Sequence, residues 1–161
     1  IQLTSGAPDE ETAGYIVQNP SFTGEIIDVD TLTGRVILVN AWATWCGPCV
    51  REMPGFQRVQ DELRDDGFLV LGMGGEDMGP AFVSAFLQDL GITYPVTLGP
   101  QRPLAGLAAQ VRGIPTSFLL GRDGRLVRRV EGLFQEDALR DAVKALLAED
   151  PPKTSRTEDV E

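Results

Sequence analysis

The sequence predicts an α/β protein in which helices flank a mixed central β-sheet. Along most of the chain, apolar runs typical of buried strands alternate with stretches of helical spacing, an order typical of parallel strands joined by helices. Near the C-terminal end, Arg122-Asp123-Gly124 separates two further strand-like runs, and Asp-Gly between such runs is a strong signal for an antiparallel hairpin. Parallel strands followed by a hairpin make a mixed sheet.

The first half of the fold is predicted around one buried strand. Residues 1–20 lack periodicity and are predicted to form an irregular N-terminal arm, followed by a short edge strand at residues 25–29. The unbroken apolar run Val36-Ile37-Leu38-Val39 is expected for a strand covered on both faces of a sheet. Residues 48–65 then have helical spacing, and Pro54 inside this helix is expected to kink it.

The second half continues the alternation and ends in the hairpin and a helix. Its predicted elements are a buried strand at 68–73, a helix at 78–90, a strand at 94–98, a short helix at 103–110, hairpin strands at 116–120 and 126–130, and an amphipathic helix at 133–147. One domain is therefore predicted over residues 21–149. The polar residues 150–161 are predicted to be a disordered tail.

Composition excludes several classes of function. The 161 residues are 42% hydrophobic, enough for one domain with a substantial core. A net charge of −10 argues against nucleic acid or anionic lipid as a partner. Because the chain has no histidine, Ser–His and Cys–His catalysis and histidine metal sites are excluded. The chain starts at Ile1 rather than at methionine, so we expect a processed form without its signal or anchor segment.

The chemistry of the chain is predicted at Trp45-Cys46-Gly47-Pro48-Cys49, between the first buried strand and its helix. A helix N-terminus presents unpaired N–H groups and a partial positive charge, which stabilise a thiolate, the nucleophilic form of cysteine. Cys46, on the outer side of the turn, would attack, and Cys49, inside the helix, would resolve the mixed disulfide. The pattern therefore indicates dithiol–disulfide exchange.

Two other interpretations of the cysteine pair are weaker. A structural zinc site needs four ligands, and with two cysteines and no histidine it would depend on carboxylates or a second subunit. A purely structural disulfide would close so short a loop that it adds little chain-entropy stabilisation. Redox exchange is therefore the favoured interpretation.

These residues carry a family resemblance. Trp45 to Cys49 matches the active-site motif of thioredoxin, and Pro54 falls where the thioredoxin active-site helix has its kinking proline. The strings Asn40 to Cys46 and Glu52-Met53-Pro54 are more similar to the TlpA/ResA branch of the superfamily, which consists of exported, often membrane-anchored thiol–disulfide oxidoreductases. Several members of that branch serve cytochrome c maturation. The resemblance extends from about Phe22 to Leu147.

The resemblance implies a fold and a substrate-binding surface. It implies the thioredoxin fold, with a central αβ insertion near residues 75–98. Ile114-Pro115 matches the cis-proline step that faces the cysteines in this superfamily, where the preceding backbone pairs with an extended substrate. Trp45, Gly47 and Pro48 would complete that surface, with Trp42 packed beneath it. Without the resemblance, Pro115 would be expected to be trans and merely to begin a strand.

Asn40 and Glu52 differ from their thioredoxin counterparts. Asn40 occupies the position of a buried, proton-handling aspartate of thioredoxin, and it cannot titrate. Glu52 matches a glutamate of the TlpA/ResA branch and lies three residues after Cys49 on the same helix. If partly buried, it would have a raised pKa and could exchange a proton with Cys49, which makes it a third catalytic candidate. The alternative is a solvated helix glutamate.

The resemblance implies an extracytoplasmic enzyme, tethered by an N-terminal segment, that needs no metal and no cofactor beyond the Cys46–Cys49 disulfide. Gly47-Pro48 is the thioredoxin dipeptide, which favours reduction of protein disulfides, with apocytochrome c a candidate substrate and a membrane thiol the electron donor. We expect a monomer. The alternatives are an oxidase or isomerase of secreted proteins and a non-catalytic binding module. A peroxidase is disfavoured because Ala43 stands where such enzymes usually have threonine.

Overall fold

A computed structural model describes residues 16–17, 32, 34–75, 78–98 and 104–149. Within these residues the chain forms strands and helices in near alternation. They are β1 (Ile16–Val17), β2 (Val36–Trp42), α1 (Gly47–Leu63), β3 (Phe68–Gly74), α2 (Pro80–Asp89), β4 (Val96–Leu98), α3 (Ala105–Ala108), β5 (Thr116–Leu120), β6 (Leu126–Glu131) and α4 (Glu136–Ala148).

The strands form one mixed sheet in the order β1-β4-β3-β2-β5-β6. The pairs β2–β3 and β3–β4 are parallel, and the pairs β1–β4, β2–β5 and β5–β6 are antiparallel. The predicted mixed sheet flanked by helices is confirmed, and so is the hairpin at Asp123-Gly124 that joins β5 to β6. Gly124 has φ of 74°, a backbone conformation that favours glycine.

Strand β2 lies at the centre of the sheet and is buried along its whole length. Its residues alternate between the two faces. Val36 and Leu38 join the larger core cluster, to which α1, α2 and α4 contribute. Ile37 and Val39 join the smaller cluster, to which α3 contributes. The apolar run that predicted a doubly covered strand therefore supplies both cores.

The predicted helix–strand unit near residues 75–98 is present as α2 and β4. The prediction of an irregular arm is wrong at Ile16–Val17, which form β1 and pair with β4. A two-residue strand is too short to show the alternation by which strands are found in a sequence. The rest of residues 1–20, the predicted strand at 25–29 and the predicted tail at 150–161 lie outside the described residues.

Candidate active site

The cysteine pair lies where the central strand passes into the first helix. Cys46 is the N-cap residue of α1 and has an extended backbone, with φ of −87° and ψ of 97°. Its Sγ accepts a hydrogen bond from the backbone N–H of Cys49 at 3.3 Å. Pro48, in the first turn of α1, has no N–H and tolerates that position. Sulfur therefore sits at the positive end of the helix, as the sequence predicted.

The two cysteines form a disulfide, with Cα atoms 5.3 Å apart. Cys49 is fully buried, whereas Cys46 retains 6% of its surface exposed. The order of exposure agrees with the prediction that Cys46 is the outer residue. Cys46 is nevertheless far less open to solvent than that prediction supposed, so any partner must approach it closely.

The tryptophans beside the cysteines have opposite environments. Trp45 is 73% exposed, and Trp42 is buried. The Trp42 indole stacks on Phe86, with ring centroids 6.1 Å apart. The predicted packing position of Trp42 is confirmed, and Trp45 has the exposure that its predicted contact role requires.

The Ile114–Pro115 peptide bond is cis, as predicted. A cavity of about 420 Å³ opens beside it and is lined by Trp45, Ile114, residues at the ends of β2 and β3, and the segment that precedes β5. The structure thus brings Trp45 and Ile114 into one largely apolar groove. Gly47 and Pro48 are exposed at the start of α1 and are not among the residues that line it.

Glu52 lies on the buried face of α1, one turn after Cys49. Its Oε1 accepts a hydrogen bond from Asn40 Nδ2, and its Oε2 accepts one from the backbone N–H of Phe134, both at 2.9 Å. Burial raises the pKa of the Glu52 carboxyl from 4.5 to about 7, and the hydrogen bonds from Phe134 and Asn40 oppose that rise. The prediction of a buried carboxyl with a raised pKa is confirmed, and the solvated alternative is wrong.

The sequence did not identify two partners of this carboxyl network. Asn40 Nδ2 also donates to Ser117 Oγ at 3.0 Å. Asn40 and Ser117 face each other in the antiparallel β2–β5 register, so a polar residue in each of two apolar strands was an available signal. The Phe134 contact is made by the main chain, which no side-chain pattern can predict.

A second cavity, of about 290 Å³, lies beside Glu52, where α1 meets the start of α4. Arg51, Glu52, Gly55, Arg58, Leu133, Phe134, Gln135 and Glu136 line it. Glu52, one turn after Cys49, thus borders a cavity whose lining includes the exposed side chains of Arg51 and Arg58. The arrangement allows a proton to pass between the buried carboxyl and water.

The described part of the chain holds no cluster of three metal-ligating side chains. Among the helices of that part, none combines the length and the apolar character needed to cross a membrane. The redox-active element that the described residues provide is the cysteine pair itself.

Comparison with known proteins gives a consistent assignment. The sequence matches the Redoxin family over residues 17–146. It is 26% identical over 137 residues to the thiol-disulfide oxidoreductase ResA of Bacillus thuringiensis, covering 85% of this chain and 77% of that protein. It is 32% identical over 121 residues to the thiol:disulfide interchange protein HelX of Rhodobacter capsulatus, covering 75% and 66% of the two chains.

Among solved structures, a thioredoxin-family thiol:disulfide interchange protein from Chlorobium tepidum matches with a TM-score of 0.70 at 26% identity, over 88% of this chain and 99% of that one. The sequence match, the fold and the cysteine pair at the start of α1 agree with one another. The chain therefore belongs to the Redoxin family, and it is a ResA-like thiol–disulfide oxidoreductase with the thioredoxin fold.

Proposed function

We propose that this enzyme works outside the cytoplasm as a reductase of protein disulfides, with Cys46, Cys49 and Glu52 as its catalytic residues. The observation that carries the proposal is the Cys46–Cys49 pair at the N-terminus of α1, with a buried carboxyl of raised pKa one turn further along the helix. The helix end stabilises a thiolate at Cys46. The carboxyl supplies a group that exchanges protons near neutral pH.

The reaction starts from the reduced pair. The Cys46 thiolate attacks one sulfur of the substrate disulfide, that S–S bond breaks, and the departing substrate thiolate takes a proton from water. Cys49 then loses its proton to ionised Glu52 and attacks Cys46 Sγ. The Cys46–substrate bond breaks, the second substrate thiolate takes a proton from water, and Glu52 releases the proton from Cys49 to the solvent. The substrate gains two electrons and two protons, and the enzyme is left with the Cys46–Cys49 disulfide. An external thiol donor at the membrane returns the electrons.

The largely apolar groove next to the cis Ile114–Pro115 bond supports a peptide substrate. Trp45 and Ile114 line it together, and the Pro115 ring leaves the chain without an N–H at that point. An extended segment on either side of a substrate cysteine would lie against Trp45, Ile114 and the exposed Gly47 and Pro48. Apocytochrome c, whose two thiols must be reduced before haem is attached, is the proposed substrate, on the strength of the resemblance to the TlpA/ResA branch.

The location rests on the same resemblance. The Asn40 to Cys46 string and Glu52-Met53-Pro54 are similar to a branch of exported enzymes, and we propose an N-terminal tether of the kind that branch carries. The net charge of −10 disfavours strongly acidic partners. We propose that the enzyme acts as a monomer and needs no metal.

Trapping of a mixed disulfide tests the assignment of attacker and resolver. The Cys49→Ser variant should accumulate a covalent complex with an oxidised CxxC peptide that has the sequence of a cytochrome c haem-binding segment, whereas Cys46→Ser should accumulate none. The reverse result would exchange the roles of the two cysteines. The absence of a complex with either variant, in folded protein, would indicate a non-catalytic binding module.

Redox equilibrium decides between a reductase and an oxidase. The reduction potential of the Cys46–Cys49 pair, measured against glutathione or dithiothreitol buffers, should lie nearer to that of thioredoxin, about −270 mV, than to that of a strong oxidant, about −120 mV. A value at the oxidising end of this range would favour the oxidase or isomerase alternative.

A further inference from the structure

A short chain of buried hydrogen bonds runs from β5 through β2 to α1. Asn40 Nδ2 donates one hydrogen to Ser117 Oγ at 3.0 Å and the other to Glu52 Oε1 at 2.9 Å. Ser117 and Asn40 are fully buried, and Glu52 is 7% exposed. An amide nitrogen has two hydrogens to donate, so both are used in this chain. The Ser117 hydroxyl thus accepts the second N–H of the Asn40 amide nitrogen, whose first N–H contacts Glu52.

The opposite end of the Asn40 amide is not held in the same way. Asn40 Oδ1 is buried and has no hydrogen-bond partner among the described residues. The position of the amide plane therefore depends on the two contacts of Nδ2. With the Ser117 acceptor removed, one N–H would be buried and unpaired, which is unfavourable. The amide would then rotate to find another acceptor, and its bond to Glu52 would weaken.

A donor that contacts a carboxylate stabilises the charged form of that carboxylate. We propose that Ser117 is a positioning residue that, through the side chain of Asn40, holds the Glu52 carboxylate in place and favours its ionised form. This inference rests on the proton-transfer role proposed above for Glu52. The inference adds Ser117, on β5, to the residues that set the pH range in which Glu52 can accept a proton.

Other titratable and charged groups also face Glu52. The Tyr94 phenol is fully buried, and its pKa is raised by burial and, less strongly, by the nearby Glu52 carboxyl. Cys49 lies one turn earlier on α1. Arg51, Arg58 and Glu136 line the cavity of about 290 Å³ that Glu52 also lines. These groups act on Glu52 in the wild type and in a Ser117 variant alike. A difference between the two proteins therefore reports the contribution of the Ser117 hydroxyl.

The test is an infrared titration of the carboxyl band of Glu52 in the oxidised protein, in which neither cysteine titrates. The band is assigned by its loss in Glu52→Gln. Ser117→Ala should move the midpoint upward by about half a pH unit, as weakening of a single charge-assisted hydrogen bond would do. Ser117→Thr, which keeps the hydroxyl, should retain the wild-type midpoint.

The matched control is Thr97→Val. Thr97 carries another buried hydroxyl of the same sheet, which contacts the carbonyl oxygen of Gly72 at 3.4 Å, and its loss should leave the Glu52 midpoint unchanged. Should Ser117→Ala fail to fold, we would compare Ser117→Val with Ser117→Thr instead. Valine carries a methyl group where threonine carries a hydroxyl, so this comparison makes the same test.

An unchanged midpoint in folded Ser117→Ala, or an equal shift in Thr97→Val, would overturn the inference about Ser117. Failure of the underlying proposal has a different signature. If Glu52→Gln resolves a preformed Cys46 mixed disulfide at the wild-type rate from pH 5 to pH 9 (roughly two units on either side of neutrality), Glu52 does not handle the proton, whatever the titration shows. In that case the role of Ser117 in catalysis falls with the role of Glu52.

Discussion

The Glu52 carboxyl connects proton binding to folding. Its pKa is about 7 in the folded protein, against an ordinary value of 4.5. Between these values the folded protein holds a proton that the unfolded chain has released, so the free energy of unfolding falls as pH rises. The contribution of the protonated carboxyl is fully present below about pH 4.5 and lost above about pH 7. The shift corresponds to roughly 3 kcal/mol, at about 1.4 kcal/mol per pH unit.

The first prediction follows from this fall in the free energy of unfolding with rising pH. Glu52→Gln removes the titration, so the stability of the variant relative to wild type should increase by about 3 kcal/mol as pH is raised from 4.5 to 8. The variant also loses a hydrogen bond where glutamine replaces the carboxylate. This loss changes its free energy of unfolding by an amount that does not depend on pH. Urea unfolding of both oxidised proteins at several pH values measures the difference. Thr97→Val, which removes a buried hydroxyl and no ionisable group, is the control, and its difference from wild type should stay flat.

A stability difference between Glu52→Gln and wild type that stays constant across this range would show that the carboxyl has its ordinary pKa in the folded protein. The proton-exchange step proposed for Cys49 would then lose its physical basis, because an acid that is already ionised at pH 5 is a poor partner for a thiol near neutral pH.

At the scale of the elements, the start of α1 decides which thiol reacts. Cys46 is the N-cap of the helix and Cys49 is buried in its first turn. In the reduced protein, iodoacetamide at neutral pH should therefore modify Cys46 well before Cys49, by about tenfold or more in rate, since the thiolate is the reacting form and access is required. Fragmentation mass spectrometry of the tryptic peptide 36–51, which holds both cysteines, locates the modification after timed quenching and measures the ratio.

The single-cysteine variants Cys46→Ala and Cys49→Ala are the controls for that experiment, because each isolates the rate of the remaining thiol. Equal rates for the two thiols would mean that the first turn of α1 opens when the disulfide is reduced. The 6% exposure of Cys46 in the oxidised form makes opening around Cys46 a necessary part of its reaction with any bulky reagent.

Elements with a strong local pattern could be predicted from the sequence, and contacts between distant elements could not. The apolar run of β2 and the Asp-Gly hairpin appear where expected. Glu52 was found from its spacing to Cys49 together with the resemblance. Ser117 lies 77 residues from Asn40 and the Phe134 N–H lies 82 residues from Glu52. Those contacts depend on strand register and on where the β6–α4 loop passes, which local sequence does not encode.

At the scale of the whole molecule, the two cores are joined through the central strand. Alternate residues of β2 enter the larger cluster with α1, α2 and α4 and the smaller cluster with α3. The smaller cluster contains Leu107 and Phe118, both buried, and the larger contains Trp42. Since both faces depend on the same strand, loss of packing on one face should destabilise the other. The molecule should unfold as one cooperative unit.

The last prediction tests this cooperativity. In a Trp45→Phe background, Trp42 is the remaining tryptophan of two and reports on the larger cluster. Leu107→Ala, in the smaller cluster, should lower the stability by about 2–5 kcal/mol, and the urea transitions seen by Trp42 fluorescence and by far-ultraviolet circular dichroism should shift together. Leu133→Ala, at a side chain 42% exposed, should change stability by no more than about 0.5 kcal/mol. A Trp42 transition that stays in place while the dichroism becomes biphasic would show that the two faces of the sheet unfold separately.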